Sequence, residues 1–343
     1  MKRLTISRIA ELSGVSKATV SRVLNGYPHI RPEIREKVQK VIAETGFQPN
    51  NVARLLASDR SNIIALIIPS GPYAVFTDPY FPVLTQGISQ AANRNHQTLA
   101  LFIMQSEEEG HETVRHILNT GLIDGMIITA DRKDASLIPS VIEHKMPFVV
   151  IGRPEHTPNA SYIDADNVGG SYLATQHLIS LGYKRIATIA SSQNSSGDDR
   201  FTGYCRALAD HQIPMNESLI AFGDYSLQSG YEATQKLLPA SPDAIFVASD
   251  TMALGVLRAL REAGLRVPQD IAIVGYDDLP PALQADPALT TIRQPIEKIG
   301  GLAVEMLMEV ITAPNAERQE RILPTQLIVR ASCGAVQLNT AHS

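Results

Sequence analysis

Apolar residues recur at helical spacing in three short runs within the first 47 residues. The positions that this spacing turns inward are Ile6, Ile9, Ala10 and Leu12, then Val20, Val23 and Leu24, then Ile34, Val38, Val41 and Ile42. Residues suited to begin the three helices are Thr5, Ser16 and Pro32, and residues suited to end them are Gly14, Gly26 and Gly46. The pattern predicts a helix, a tight turn and two further helices around one small core.

The second of these helices, from Lys17 to about Asn25, has an unusual polar face. The side chains on this face are small, polar or cationic: Ala18, Ser21, Arg22 and Asn25. A solvated helix face commonly carries long Glu and Lys side chains, so this composition indicates close contact with a partner. A merely exposed helix remains the alternative at this point.

Beyond residue 60 the pattern changes to short β-branched runs separated by helical stretches. The runs that we expect as strands are Ile63–Ile68, Leu99–Ile103, Met126–Ile128, Phe148–Ile151, Ile186–Ile189, Leu219–Phe222, Ala244–Ala248 and Ile271–Val274. Strands that alternate with helices pair in parallel, with helices on both faces of the sheet. IDGMIIT is echoed by PDAIFVA, and MPFVVIG by QDIAIVG. The echoes predict two similar lobes, with a ligand cleft at the carboxyl ends of their strands.

Charge is divided unevenly along the chain. Residues 1–60 contain 11 Lys and Arg against 5 Asp and Glu, a net charge of +6. The remaining 283 residues therefore carry −11, because the whole chain has −5. A basic patch gains binding free energy when phosphates release their counterions, so we expect the partner of the head to be double-stranded DNA.

Other features of the sequence argue against several classes of protein. No apolar run approaches the length of a membrane span, and the first residues lead into amphipathic helices. We therefore expect no membrane partner and a cytoplasmic, nucleoid-associated protein. Cys205 and Cys333 lack metal-ligand spacing and are expected to be reduced structural thiols. The absence of a Gly-Xaa-Gly-Xaa-Xaa-Gly motif, phosphate loop, Cys-Xaa-Xaa-Cys pair or ligand-spaced histidine pair argues against an enzyme, a metal and a cofactor.

Three motifs of the head match a known family in order and without gaps in the match: TISRIAELSGVSKATVSRVLNG, IRPEIREKVQKVIAETGFQPN and NNVARLLAS. They resemble the DNA-binding head of the lactose-repressor (LacI/GalR) family of bacterial transcription regulators. The resemblance continues through DPYFPVLTQGI, GLIDGMII, VASDTMALGVLRAL and VGYDDLPPALQADPALTTIRQP, and so covers nearly the entire chain.

The resemblance implies an all-α helix-turn-helix head followed by a hinge helix and an α/β body. The body would be like the periplasmic binding proteins, with two similar lobes, each built on a parallel sheet. The implied boundaries are 1–48 for the head, 49–61 for the hinge helix and linker, 62–335 for the body and 336–343 for a tail. Crossings near Asp164, Arg293 and Ile322 would give a first lobe of about 62–163 and 294–321, and a second of about 164–293 and 322–335.

The resemblance also assigns DNA contacts to the head. Lys17, Ala18 and Arg22 match base-reading positions, where Arg22 can pair with guanine O6 and N7 and Ala18 can meet a thymine methyl group. The residues expected to hold phosphates, and so to fix the register, are Thr5, Ser7, Ser16, Thr19, Ser21, Asn25, His29 and Arg31.

The segment FQPNNVARLLASDRSN contains about two turns of helix, too few to be stable alone in water. Its adjacent leucines argue against a plain linker, which is the alternative. The resemblance implies a hinge helix that orders on DNA beside its twin from a second subunit. Asn50, Val52, Ala53 and Leu56 would lie at the minor groove, with Leu56 as an apolar wedge between base steps.

In the cleft, the strand ends offer a set of polar and aromatic side chains: Phe76, Tyr80, Phe81, Asp131, Arg200, Ser249, Asp250 and Asp277. Converging carboxylates and a guanidinium bind vicinal hydroxyls, and an aromatic ring covers the C–H face of a sugar, so we expect a carbohydrate ligand. By resemblance, Arg200 and Asp277 are the strongest candidates, and Tyr80 and Phe81 match positions that line the pocket.

Three questions stay open within this cleft. Ser249 stands where many relatives have Asn, which leaves the size of the ligand undecided. Asp250 can instead cap the helix that begins at TMALG, and the same caution applies to Asp131. The polar stretch SSQNSSGDD can form an anion site, but a loop at the surface or at the rim of the cleft is the favoured interpretation.

These features together predict a ligand-responsive, sequence-specific repressor of carbohydrate-utilisation genes. It would act as a homodimer on a palindromic operator, because each chain has a single recognition helix. A sugar between the lobes would shift them and change the pairing of the hinge helices. The alternatives are the same class of regulator with a nucleobase, nucleoside or other non-sugar ligand, and more remotely a solute-binding protein, which would explain only the body.

Overall fold

The computed structural model describes residues 4–24, 27, 29–47, 60–104, 107–129, 137–154, 157, 159–192, 194–313 and 317–335, without the side chains of 107 and 108. The chain divides into two compact units, Met1–Ser61 and Asn62–Ser343. The predicted fold class is confirmed: a helical head and an α/β body of two lobes, each with its own sheet.

The head has three helices, α1 (Ile6–Ser13), α2 (Lys17–Leu24) and α3 (Pro32–Thr45). Gly14 ends α1 with φ +62°, a left-handed conformation that glycine adopts without strain. The buried core comprises Ile9, Ala10, Val20, Val23, Val38 and Phe47. The expectation that Leu12 turns inward was wrong, because its side chain is 45% exposed. Ser13 is buried in its place and donates its hydroxyl to the carbonyl of Ile9 at 2.6 Å.

The first sheet of the body is parallel throughout, with the strand order β11-β5-β4-β3-β1-β2. Its strands are β1 (Ile63–Ile68), β2 (Thr98–Ile103), β3 (Gly125–Thr129), β4 (Phe148–Ile151), β5 (Tyr162–Ala165) and β11 (Glu320–Leu323). The central strands are buried on both faces, which is why their residues are almost all apolar.

The second sheet has the order β12-β10-β9-β8-β6-β7, and only β12, among the described strands, runs antiparallel to its neighbour. Its strands are β6 (Ile186–Ala190), β7 (Ile220–Phe222), β8 (Ala244–Val247), β9 (Ala272–Asp277), β10 (Thr290–Arg293) and β12 (Gln326–Ile328). All eight runs expected as strands form strands, with ends that differ by at most three residues.

Helices cover the two sheets. In chain order they are α4 (Pro72–Thr77), α5 (Tyr80–Arg94), α6 (Glu107–Thr120), α7 (Leu137–Glu143), α8 (Asn167–Ser180), α9 (Ser195–Asp210), α10 (Leu227–Leu237), α11 (Asp250–Glu262), α12 (Pro280–Gln284) and α13 (Ile296–Thr312). None of the helices in the described part of the chain is long and apolar enough to span a bilayer.

The chain passes between the lobes three times. It leaves the first lobe after β5, returns after β10 so that α13 packs in the core of the first lobe, and leaves again between β11 and β12. Helices α5 and α13 approach closely through glycines. A Cβ on Gly87 would lie 2.1 Å from the backbone oxygen of Glu297, and one on Gly300 would lie 2.6 Å from that of Leu84. The late helix α13 therefore completes the core of the first lobe.

Candidate nucleic-acid interface and ligand cleft

The polar face predicted on α2 is turned to solvent. Lys17, Ala18 and Arg22 are exposed, whereas Val20 and Val23 on the other side are buried in the head core. Among the described residues of the head, no acidic side chain forms an ion pair with Lys17 or Arg22. The face therefore offers two cations and a methyl group to a partner.

The hydroxyl groups expected at phosphates include two helix caps. Thr5 Oγ1 accepts from the backbone N–H of Arg8 at 3.4 Å, and Ser16 Oγ accepts from that of Thr19 at 3.1 Å. The remaining described members of the set lie at the surface or are half-buried: Ser7, Thr19, Ser21, His29 and Arg31.

Several sequence predictions fall outside the described residues: Asn25, Gly26, Asn50, Val52, Ala53, Leu56 and Asp131.

A cavity of about 140 Å³ lies between the two lobes of the body. The first lobe contributes Ser70, Ala74, Asp78, Tyr80, Phe81, Thr129, Ile151, Gly152 and Asp164, and the second contributes Asn194, Ser196, Arg200, Asp224, Tyr225 and Asp277, with Gln294 at a crossing. Most of these residues follow the carboxyl ends of strands, as the parallel topology predicts.

Arg200 is the central cation of the cleft. It lies on α9 and is only 5% exposed, with its guanidinium carbon 3.9 Å from the ring centroid of Tyr276. Its Nε donates to Asn167 Oδ1 at 2.9 Å, and its Nη1 donates to the carbonyl of Ala248 at 2.5 Å. Among the described residues none accepts a hydrogen bond from Nη2. Arg200 is thus held rigidly by two of its nitrogens, and the third can serve a ligand oxygen.

Asp277 ends strand β9 beside Arg200. Its Oδ1 lies 3.5 Å from Arg200 Nη1 and accepts from Gln294 Nε2 at 2.6 Å. Burial raises the pKa of Asp277 above its usual range, although the Arg200 charge acts to lower it. The backbone of Asp277 has φ +116° and that of Asp278 has φ +58°, so two consecutive residues other than glycine have positive φ, which is uncommon.

Two further carboxylates face the cleft from the first lobe. Burial raises the pKa of Asp164 to about 6, while its hydrogen bond from the Ala165 N–H, at 2.7 Å, lowers it. Burial also raises the pKa of Asp78, whose Oδ1 accepts from the Tyr80 N–H at 3.0 Å. The charge of Arg200 acts on the carboxyl groups of both lobes. Three of the four aspartates that line the cavity therefore interact with the charge of Arg200.

Thr129 adds a further polar group to the wall of the cavity. Thr129, at the end of β3, is 5% exposed, and its Oγ1 has no hydrogen-bond partner among the described residues. A buried hydroxyl without a partner is costly, so this atom is a ready contact for a polar ligand or a water molecule.

The cavity gathers only part of the cleft set expected from the sequence. Tyr80, Phe81, Arg200 and Asp277 line it together. Phe76 is 71% exposed on α4 and is absent from the lining. Ser249, not Asp250, caps α11 by accepting from the Met252 N–H at 3.2 Å.

Asp250 serves the interior of the second lobe. Its Oδ1 accepts from Thr291 Oγ1 at 2.7 Å, and its Oδ2 accepts from the Leu279 N–H at 3.1 Å. Burial raises the pKa of Asp250, and the nearby Asp277 charge adds to the increase. Asp250 is not among the residues that line the cavity.

The predicted cleft set contained four of the sixteen residues that line the cavity, so sequence reasoning missed the other twelve. The missed residues include Asp78, Asp164, Asn194, Asp224, Tyr225 and Gln294. Asn194 and Ser196 belong to the polar stretch SSQNSSGDD, which lies at the start of α9 and contributes to the cleft. Gln294 directly follows β10, so the strand-end rule would have found it if that strand had been predicted.

Comparisons with known proteins agree with both units. Residues 5–50 match the family described as bacterial regulatory proteins, lacI family, and residues 175–333 match a periplasmic binding protein-like domain. The HTH-type transcriptional regulator CelR of Thermobifida fusca is 38% identical, covering 96% of this chain and 98% of that protein. The HTH-type transcriptional repressor PurR of Erwinia tasmaniensis is 33% identical, covering 96% of each.

Two solved structures are similar over nearly the whole chain. A lac repressor dimer bound to operator and the anti-inducer ONPF has a TM-score of 0.84 and 30% identity, covering 97% of this chain and 99% of that chain. A complex of transcriptional regulator CelR with cellobiose has a TM-score of 0.77 and 35% identity, covering 96% of this chain and 100% of that chain.

Proposed function

The chain belongs to the lacI family of bacterial regulatory proteins and is a DNA-binding transcription regulator, and we propose that it represses carbohydrate-utilisation genes and releases its operator when a small neutral sugar binds between the lobes. The observation that carries the ligand class is the cleft itself, where carboxylates from both lobes surround one guanidinium beside aromatic rings.

The polar groups of the cleft suit hydroxyl groups. Asp78, Asp164 and Asp277 supply acceptors, while Arg200 Nη2 supplies donors, so a diol can donate to one group and accept from another. The rings of Tyr80 and Phe81 stand nearly perpendicular, with centroids 5.5 Å apart. Two aromatic rings in this arrangement can cover the C–H face of a sugar ring.

The charge of the cleft argues against an anionic ligand. Four aspartates line the cavity, and the guanidinium of Arg200 already lies beside Asp277. A phosphate or carboxylate would meet like charges in a poorly solvated space, which costs free energy. A neutral sugar meets no such penalty. The CelR–cellobiose complex, a structure similar over the whole chain, makes cellobiose the first ligand to test.

A nucleobase or nucleoside remains the second candidate, because PurR repressors are relatives at 32–33% identity. The N–H groups of a base could also donate to the carboxylates of the cleft. A base would need a flat surface on which to stack, and the perpendicular Tyr80–Phe81 pair presents an edge to a face instead.

On the DNA side, we assign base reading to Lys17, Ala18 and Arg22 and phosphate contacts to the polar set around them. Lys17 and Arg22 on α2 support this assignment, because they are exposed and form no ion pair with the described residues. A dimer on a palindromic operator follows from one recognition helix per chain. We assign residues 49–61 to a hinge helix with Leu56 as its minor-groove wedge, and place the protein in the cytoplasm on the nucleoid.

The test combines operator binding with ligand titration. The operator is selected from random DNA with the purified protein, and its affinity is measured by fluorescence anisotropy with cellobiose, hypoxanthine or glucose 6-phosphate. We expect cellobiose alone to weaken operator binding. Asp277→Asn and Arg200→Ala should abolish this response and leave operator affinity without ligand nearly unchanged. The matched control is Asp270→Asn, in an exposed ion pair with Arg266.

Two results would contradict the proposal. A response to hypoxanthine without one to cellobiose would favour the nucleobase candidate. Equal affinity for the selected operator and for random DNA would argue against sequence-specific repression.

A further inference from the structure

Strand β9 ends in a three-residue turn whose side chains have three different surroundings. Asp277 lines the ligand cleft. Asp278 lies against Arg293, the last residue of β10, and Arg330, two residues after β12. Leu279, although it belongs to the second lobe by sequence, is 3% exposed in the apolar cluster of the first lobe that also contains Phe81 and Ile296. We call residues 277–279 the β9 turn.

The backbone of the β9 turn does not have this shape by preference. Asp277 and Asp278 both have positive φ, +116° and +58°, a region that L-residues other than glycine rarely adopt. Aspartate tolerates φ near +60° better than most residues, but φ +116° is outside the left-handed helical region. Surrounding interactions must therefore hold the turn in place.

Two arginines hold the middle of the β9 turn. Asp278 Oδ2 accepts from Arg293 Nε at 2.6 Å, and Asp278 Oδ1 accepts from Arg330 Nη2 at 2.5 Å. Arg330 is itself fixed, because its Nη1 donates to the carbonyl of Leu289 at 2.8 Å. Arg293 is the last residue of β10 and lies opposite Asp277 in the parallel register. The Asp278 carboxylate is 6% exposed and thus ties three chain segments together.

The far end of the turn is anchored as well. The Leu279 N–H donates to Asp250 Oδ2 at 3.1 Å, and the Leu279 side chain is buried. With the strand before it and this anchor after it, the turn has little freedom once Asp278 is paired. The direction of the Asp277 carboxylate therefore depends on a residue that does not line the cleft.

We propose that Asp278 is a positioning residue for ligand binding: through Arg293 and Arg330 it fixes the β9 turn so that Asp277 presents its carboxylate to the ligand between Gln294 and Arg200. The inference rests on the proposed function only for the identity of the ligand. The contacts of Asp278 with Arg293 and Arg330 are present in the protein without ligand. A purely stabilising role for the ion pairs is the alternative, and it predicts loss of stability without loss of affinity.

The test uses full-length variants. Asp278→Ala removes both ion pairs and places a residue that disfavours φ +58° in the turn, whereas Asp278→Asn keeps one acceptor and tolerates that φ. The control is Asp270→Asn, which breaks a bidentate contact with Arg266 at the surface. Ligand-free crystal structures are compared first. Cellobiose affinity is then measured by calorimetry at 15 °C, well below the unfolding transition of every variant used.

In Asp278→Ala we expect the Asp277 carboxylate to leave its positions 2.6 Å from Gln294 Nε2 and 3.5 Å from Arg200 Nη1. Cellobiose affinity should fall by about tenfold or more, the loss expected when one charge-assisted hydrogen bond is misaligned. Asp278→Asn should restore part of the affinity, and Asp270→Asn should stay within about twofold, as for a surface substitution.

The proposal is overturned if Asp277 keeps its position in Asp278→Ala, or if that variant binds cellobiose as tightly as the unchanged protein. Should Asp278→Ala fail to fold, Arg293→Ala replaces it, because Arg293 is 53% exposed and its loss spares the core. If the unchanged protein does not bind cellobiose, the proposed sugar is wrong, and the crystal comparison still decides the role of Asp278.

Discussion

Replacing Arg200 by Met tests the electrostatic account of the cleft. Methionine retains a long apolar stem but removes the guanidinium. The variant loses hydrogen bonds to Asn167 Oδ1 and to the Ala248 carbonyl, and it leaves the carboxylate of Asp277 without its cation. Asp277 keeps one short hydrogen bond, from Gln294.

The expected cost follows from the burial of the pair. Arg200 and Asp277 are 5% and 6% exposed, so the charge left behind is poorly solvated. Removing one partner of a buried ion pair typically costs about 3–5 kcal/mol. We expect the lower end, about 3 kcal/mol, because Asp277 lines a cavity that water can enter.

The cost should depend on pH. Burial already raises the pKa of Asp277, and loss of the Arg200 charge raises it further. A carboxyl group whose pKa is raised on folding stabilises the folded state fully at a pH below its unfolded pKa of about 3.9. This contribution to stability is lost as the pH rises through the folded pKa. Arg200→Met should therefore be most destabilising at pH 8 and less so at pH 5, where Asp277 is protonated.

The assay is urea unfolding of the body, followed by circular dichroism, at pH 5 and pH 8. Asp277→Asn and the double variant Arg200→Met/Asp277→Asn complete a cycle. We expect the double variant to be more stable at pH 8 than Arg200→Met alone, because no charge is then left unpaired. If the two single effects simply add, or if the cost of Arg200→Met is equal at both pH values, the electrostatic reasoning is wrong.

Three further predictions concern other parts of the chain. Arg22→Ala should lower affinity for the operator much more than for random DNA, whereas Arg31→Ala should weaken both and flatten the salt dependence; anisotropy at two salt concentrations checks this. Asp164→Asn should gain stability relative to the unchanged protein as the pH rises from about 4 to about 6, because ionising Asp164 is unfavourable in the folded state, and thermal unfolding across that range measures it. Val38→Ala, in the small buried core of the head, should cost about 2 kcal/mol and abolish DNA binding at 37 °C, while cellobiose calorimetry stays unchanged.

The strands that sequence could predict are those dominated by apolar residues. In β1, β3 and β4 only Thr129 is polar, so their pattern is visible without knowledge of the neighbours. The missed strands, β5 (YIDA), β10 (TTIR), β11 (ERIL) and β12 (QLI), each mix polar and apolar residues. They become strands because an adjacent strand is already in place, and that information lies elsewhere in the chain.

The cleft was predictable where a side chain directly follows a predicted strand or matches a family motif, as for Arg200 and Asp277. Phe76, by contrast, was predicted to line the cleft and does not. Helix α4 turns Val75 inward and leaves Phe76 outside, and a shift of one residue in the helix start would reverse this. Asp78 reaches the cavity two residues later. The rotation of a six-residue helix depends on its tertiary contacts, which periodicity does not record.

The late arrival of α13 in the first lobe has a consequence for biosynthesis. The buried core of the head comes from one short stretch of the chain, Ile9 to Phe47, so the head can fold soon after it leaves the ribosome. Helix α5 ends at Arg94, but α13, which covers its glycine-lined face, begins only at Ile296. At about 5–20 residues per second, that face stays uncovered for roughly 10–40 s of translation. During this interval the nascent first lobe exposes the apolar side of α5, a surface of the kind that makes folding intermediates prone to aggregation.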